Sequence, residues 1–198
     1  MLTKQQEVAA AEIRKAIEVG ERGVLLVGPP GVGKTTLARE VTTMLPDVVT
    51  IDRVRNYQFR AYAAAGLTTY DKPLPPERPF RAPHHTVSDA GLSGMVGQPY
   101  TGEVALAHGG VLMLDELPEF RRAGIERLAE RLRLADIVGR PFVVATVNPC
   151  PCGAAGFWSL ACKCSSEAAS SYRARVETYA KLLRIRTHVM MMMTAEGW

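Results

Sequence analysis

Gly28-Pro29-Pro30-Gly31-Val32-Gly33-Lys34-Thr35 decides the fold of this chain, because its glycines, lysine and hydroxyl have the spacing of a phosphate-binding loop. Glycines at 28, 31 and 33 let the backbone turn so that successive N–H groups converge on phosphate oxygens. A helix opening near Lys34 adds the positive end of its dipole. In such a loop Lys34 reaches the β- and γ-phosphates of ATP, and the Thr35 hydroxyl ligates Mg²⁺. The expected nucleotide contacts are Gly28, Pro29, Gly31, Val32, Gly33, Lys34, Thr35 and Thr36. A glycine-rich turn alone is a weak signal. Here Val24-Leu25-Leu26-Val27 precedes it as a strand buried on both faces, and residues 36–45 follow as a helix stopped by Pro46.

The other half of the site is Val111-Leu112-Met113-Leu114-Asp115-Glu116, an apolar strand ending in two carboxylates at the sheet edge where ligands bind in open α/β folds. Asp115 is expected in the Mg²⁺ shell, and Glu116 is expected to orient and activate the attacking water. Without the phosphate loop, two solvated acids at a strand end would be the simpler reading. Asn148 follows the apolar run 142–147 and is expected to position that water, against the plainer role of capping the turn at Pro149.

Outward from these motifs, Thr3-Lys4-Gln5-Gln6 reads as a capping box for a helix running to about Val19. Residues 48–51 read as a second strand, 54–65 and 121–134 as helices, 170–186 as a basic helix and 188–193 as a closing strand. Five prolines across 71–83 predict a loop over most of that segment, and Gly91, Gly94, Gly97 and Gly102 predict irregular backbone after it. The expected fold is α/β, a P-loop NTPase with a parallel sheet sandwiched between helices.

With 198 residues, 47% of them hydrophobic, one domain with a sizeable core is expected. The net charge of +4 suits a polyanion partner and an ordinary solvated surface equally. Residues 1–15 alternate charged and apolar positions without the apolar core of a secretory leader, and no run is long enough to span a membrane. A cytoplasmic location is therefore expected. All four cysteines fall between Cys150 and Cys164, as two C-x-C pairs nine residues apart. Cys150, Cys152, Cys162 and Cys164 are the expected ligands of a structural Zn²⁺, in a tight loop helped by Gly153 and Gly156; four free thiols are the alternative. His84 and His85, if extended, point to opposite faces and suit no metal, and the run at Met190 reads as core strand or frayed end.

Four blocks carry a family resemblance: Arg78-Pro79-Phe80-Arg81-Ala82-Pro83-His84-His85-Thr86, Gly102-Glu103-Val104-Ala105-Leu106-Ala107-His108, Leu114-Asp115-Glu116-Leu117-Pro118-Glu119-Phe120-Arg121-Arg122, and Asn148-Pro149-Cys150-Pro151-Cys152-Gly153. Together they resemble the magnesium-chelatase-like AAA+ ATPases, within these the ComM group. The resemblance implies an ATPase core assembled as a hexameric, homo-oligomeric ring, in a group that includes DNA helicases driving branch migration. It also implies an arginine donated to the neighbour's γ-phosphate, for which Arg184 is the best match, ahead of Arg175, Arg173 and Arg186. Where the family carries acids near that arginine, this chain has Leu183 and Arg186, and the stretch between Phe120 and Asn148 is shorter than in relatives. Residues 1–198 are expected to form a single AAA+ core with a Cys-rich loop at 150–164, lacking the C-terminal helical lid and the N-terminal protease-like domain. A DNA motor is the leading expectation. A nucleotide-binding switch or assembly subunit with weak hydrolysis, acting through a partner protein, is the alternative.

Overall fold

The computed structural model describes residues 2–47, 52–69, 71–134, 139–155 and 161–191. The capping box forms as expected: the Gln6 N–H donates to the Thr3 hydroxyl at 3.3 Å, and the Thr3 N–H donates to the Gln6 side chain at 2.9 Å. It opens α1 (Lys4–Glu18), after which come β1 (Gly23–Val27), α2 (Lys34–Met44) and α3 (Asp52–Ala64). Then follow β2 (Phe80–Arg81), α4 (Asp89–Ser93), α5 (Glu103–Leu106), β3 (Val111–Leu114) and a 3-10 turn at Leu117–Glu119. The chain closes with α6 (Arg122–Leu134), β4 (Phe142–Val147), α7 (Ser166–Leu183) and β5 (Thr187–Met190).

The five strands form one parallel sheet in the order β2-β3-β4-β1-β5. Alternation along the strands divides the core into two layers. Val24 and Leu26 of β1, Val111 and Met113 of β3, and Val144 of β4 pack on Ala9, Ile13, Leu37 and Val41 of α1 and α2. Leu25, Leu112, Leu114, Val143 and Ala145 face the other way, onto Ile125, Leu128 and Leu132 of α6 and Ala180 and Leu183 of α7. The expected helix–sheet–helix sandwich is thus realised. Among the described residues, no helix is long and apolar enough to cross a membrane.

Several expectations need correction. The proline-rich stretch is irregular over most of its length as expected, but Phe80–Arg81 form a two-residue strand, because pairing with Val111 and Leu112 supplies what its own sequence lacks. The glycine-rich stretch holds the short helices α4 and α5. The basic helix begins at Ser166, capped by the Ser165 hydroxyl, which accepts the Ala168 N–H at 3.1 Å; it ends at Leu183, with Arg184 left-handed at φ 58°. His84 and His85 do not diverge, since their rings lie 4.0 Å apart where the chain turns instead of extending. Met191 is core, whereas Met190 is exposed. The strand expected at 48–51, Gly156 and the methionines at 192–193 lie outside the described residues.

One ion pair and one backbone approach brace this side of the domain. The Arg81 guanidinium grips Glu103 with two bonds of 2.6 and 2.8 Å, tying β2 to α5. Gly94 and Gly102 meet as a neck: a Cβ on Gly102 would lie 2.3 Å from the Gly94 nitrogen, and one on Gly94 would lie 2.3 Å from the Thr101 carbonyl oxygen. The loop beyond this neck presents Val96 almost fully to solvent.

A side chain at Gly110 would place its Cβ 2.0 Å from the Pro79 carbonyl oxygen, which accepts the Val111 N–H at 2.9 Å. Gly110→Ala is therefore expected to push β2 off β3 and destabilise the fold by about 1–3 kcal/mol. Urea unfolding measures this, and an unchanged midpoint would refute the close approach.

Candidate functional site

Strand order brings the site together. With β4 lying between β1 and β3, the loop after β1, the acids after β3 and Asn148 after β4 all open at one sheet edge. There Pro30, Gly31, Gly33, Lys34, Thr35, Asp115, Glu116 and Asn148 line one cleft of about 270 Å³. The Gly28 N–H donates to the Val147 carbonyl at 3.1 Å, extending the β1–β4 ladder into the phosphate loop. Gly31 and Gly33 have φ of 84° and 83°, the left-handed backbone that the loop requires. A Cβ on Gly33 would strike the Gln6 side-chain nitrogen at 2.1 Å, so the first turn of α1 rests directly on the loop. Val32 packs inward against the α1–α2 core layer, while Thr36 is exposed in the first turn of α2.

The Lys34 ammonium donates to the carbonyls of Gly28 (2.5 Å) and Pro29 (2.8 Å) and to Asn148 Oδ1 (3.2 Å). Partial burial lowers its pKa, and the charges of Asp115 and Glu116 oppose that shift. Both acids are exposed at the cleft. Glu116 is held at φ 54°, a left-handed conformation that costs a non-glycine residue about 1–3 kcal/mol. Thr146, fully buried in β4, holds the two acids in register: its hydroxyl donates to Asp115 Oδ1 at 2.5 Å and accepts the Glu116 N–H at 3.0 Å.

Thr146 is a site residue that motif reading missed. Its signal is present, however, as the one hydroxyl in Phe-Val-Val-Ala-Thr-Val, since a buried hydroxyl must find a partner. Tyr172 is another, its phenol oxygen accepting the Asn148 N–H at 3.2 Å from α7. Nothing in its sequence surroundings marks it.

Arg184 is not brought to this cleft. It follows α7 and precedes β5, at the amino-terminal sheet edge, where it lines a second cavity of about 290 Å³ with Glu21, Arg22, Arg140 and Arg186. Burial lowers the Arg140 pKa, and the positive charges of Arg22 and Arg184 lower it further. Arg175 instead donates to the Pro118 carbonyl at 3.3 Å.

The four cysteines do converge, with their sulfurs all within 4.8 Å of one another and none paired in a disulfide. Cys150 Sγ lies 3.4 Å from Cys152 and 3.7 Å from Cys162, and Cys152 lies 3.7 Å from Cys162. Thiolates about 2.3 Å from a tetrahedral Zn²⁺ lie about 3.8 Å apart, so this donor set fits that ion. Backbone N–H groups of Ala154 and Lys163, with the neighbouring thiols, lower the Cys152 thiol to about 6.

Comparison with known proteins agrees with this geometry. The family model described as magnesium chelatase, subunit ChlI, matches residues 3–196. Competence protein ComM of Haemophilus influenzae is 36% identical over 145 residues, 68% of this chain and 28% of that protein. YifB of Escherichia coli K12 is 37% identical over 145 residues, with the same shares. The chain thus spans less than a third of either relative's length. In fold, it matches the crystal structure of NtrX from Brucella abortus in complex with ATP at a TM-score of 0.54 and 16% identity, covering 96% of this chain and 37% of that one. Phosphate loop, paired acids, strand order and family match converge: the chain belongs to the magnesium chelatase subunit ChlI family and has the AAA+ fold.

Proposed function

We propose that this chain binds MgATP in the cleft between the phosphate loop and the paired acids, and hydrolyses it as the motor module of a homo-oligomeric ring acting on DNA. The observation that carries the reading is the convergence of Lys34, Thr35, Asp115, Glu116 and Asn148 on one cleft. The loop N–H groups and Lys34 bind the phosphate oxygens. The Thr35 hydroxyl and Asp115 would hold the Mg²⁺, which would offset the charge of the phosphate oxygens. Glu116 orients the attacking water and takes its proton as the new O–P bond forms and the bond to the β-phosphate breaks. Asn148, anchored by Lys34 and Tyr172, fixes the water against the γ-phosphate.

The ring supplies what a single cleft lacks. Arg184 sits at the opposite sheet edge from its own phosphate loop, so it serves an ATP bound to the next subunit. The surrounding Arg22, Arg140 and Arg186 concentrate positive charge toward that anionic ligand. DNA as the substrate rests on the likeness to ComM, named for competence, and the net charge of +4 is compatible with it. In the same reading, Cys150, Cys152, Cys162 and Cys164 hold one structural Zn²⁺, supported by sulfur spacings near those of a tetrahedron.

Four outcomes follow. Lys34→Ala abolishes MgATP binding by calorimetry, whereas Glu116→Gln binds normally and loses turnover by about 100-fold or more; equal ATP affinity in wild type and Lys34→Ala would sink the loop assignment. Turnover rises more steeply than linearly with protein concentration and with added DNA. Mixing the inactive Arg184→Ala and Glu116→Gln chains restores part of it, and a dead mixture of chains that still assemble rules Arg184 out. Protein purified without added metal carries one zinc per chain by elemental analysis, and four freely titrating thiols would refute the metal site.

A further inference from the structure

The metal loop adjoins the nucleotide cleft at one end and α7 at the other. Cys150 lies two residues after Asn148, and Cys164 directly precedes Ser165, the N-cap of α7. The two C-x-C pairs therefore join the end of β4 to the start of α7. The same two elements are joined a second time by the Asn148 N–H donating to Tyr172 at 3.2 Å. Between the cysteines, the turn closed by the Gly153 N–H on the Cys150 carbonyl (2.9 Å) carries Gly153 at φ 77°. Gly153 is buried against the phosphate loop, where a Cβ would lie 3.0 and 3.2 Å from Pro30 Cδ and Cγ and 4.0 Å from Asn148 Cγ. The Ala155 N–H donates to Cys150 Sγ at 3.2 Å, holding the turn to the sulfur cluster.

We infer that the four-thiolate centre is the strut that sets the nucleotide site, and that ATP turnover by this chain depends on zinc. The inference rests on reading the cysteines as a zinc centre and the cleft as an ATPase site. Zinc across the two pairs fixes the spacing between β4 and α7. That spacing aims Asn148 at Lys34 and keeps Gly153 seated on Pro30. Without the metal, each C-x-C pair is free to leave the other, and the Asn148 amide loses its fixed direction. Gly153 and Tyr172 are positioning residues in this arrangement, acting through Pro30 and Asn148. Because misplacing a reacting group by about 1 Å costs about 100-fold in rate, the effect falls on kcat more than on MgATP affinity.

The test removes zinc from the intact chain with a chelator, dialyses the chelator away, resupplies Mg²⁺ and measures kcat and MgATP affinity separately. Folding is followed by far-UV circular dichroism. The expected result is a folded protein whose kcat falls by about tenfold or more, with affinity changed far less, and full recovery on adding one equivalent of zinc. Two variants that keep all four cysteines cover the case in which stripped protein unfolds. Tyr172→Phe removes the acceptor of the Asn148 N–H, and Gly153→Ala drives a methyl against Pro30. Each is expected to retain one zinc per chain and MgATP binding while losing kcat. Undiminished kcat in folded, zinc-free protein, or in both zinc-loaded variants, overturns the coupling. Protein that carries and takes up no zinc fails the metal reading, and zinc-loaded protein that does not bind MgATP fails the nucleotide reading; either result overturns the inference at a distinguishable step.

Discussion

Two parallel ladders hold β4 in place, from Gly23↔Val143 to Val27↔Val147 on one side and from Val111↔Phe142 to Leu114↔Ala145 on the other. Every residue of β4 is buried, so its backbone bonds have no competitor in water and the strand has no register to slip into. The phosphate loop and the paired acids are joined through the backbone ladders of this strand, since β1 and β3 both pair with it. Its last polar residues therefore do the joining: Thr146 bonds toward the acids after β3, and Asn148 bonds toward Lys34 after β1. A shift of β4 by one residue would turn the Thr146 hydroxyl away from Asp115 and break both connections at once.

Backbone strain is concentrated in the same way. Among the described residues, Glu116 and Arg184 are the two non-glycine positions with positive φ, at 54° and 58°. Each follows a rigid element, β3 and α7 respectively, and each is pinned by backbone bonds. The Thr146 hydroxyl receives the Glu116 N–H, and the Ile185 N–H bonds back to Ala180 at 2.9 Å behind Arg184. Such conformations persist where surrounding packing over-determines them.

The chemistry of phosphate binding needs contiguous residues, which is why the loop at 28–35 and the Leu114-Asp115-Glu116 strand end could be read directly from the chain. The convergence of the four cysteines was legible for the same reason, since the two pairs sit close in sequence. Features settled by distant partners were not. Two-residue β2 exists because Val111 and Leu112 pair with it, and its flanking Pro79 and Pro83 argue for loop. Tyr172 meets Asn148 across 24 residues with no motif to announce it. The start of α7 was obscured by Cys162-Lys163-Cys164, although Ser165 followed by Glu167 is an ordinary helix-opening pair.

The glycine neck at Gly94 and Gly102 separates the evolutionary freedom of its loop from that of the sheet. The two backbones touch there, with a Cβ on either one clashing at 2.3 Å, so the segment starts and ends at adjacent points of the domain. Pro99 and Tyr100 are tied back to α3 and α6 through Tyr57, Arg60 and Arg131, so it is additions at Val96 and Gly97 that leave these contacts in place and cost the slow, logarithmic entropy of a longer loop. The length and chemistry of this tip, where Val96 stands 98% exposed, can therefore change while the sheet beneath it stays unaltered.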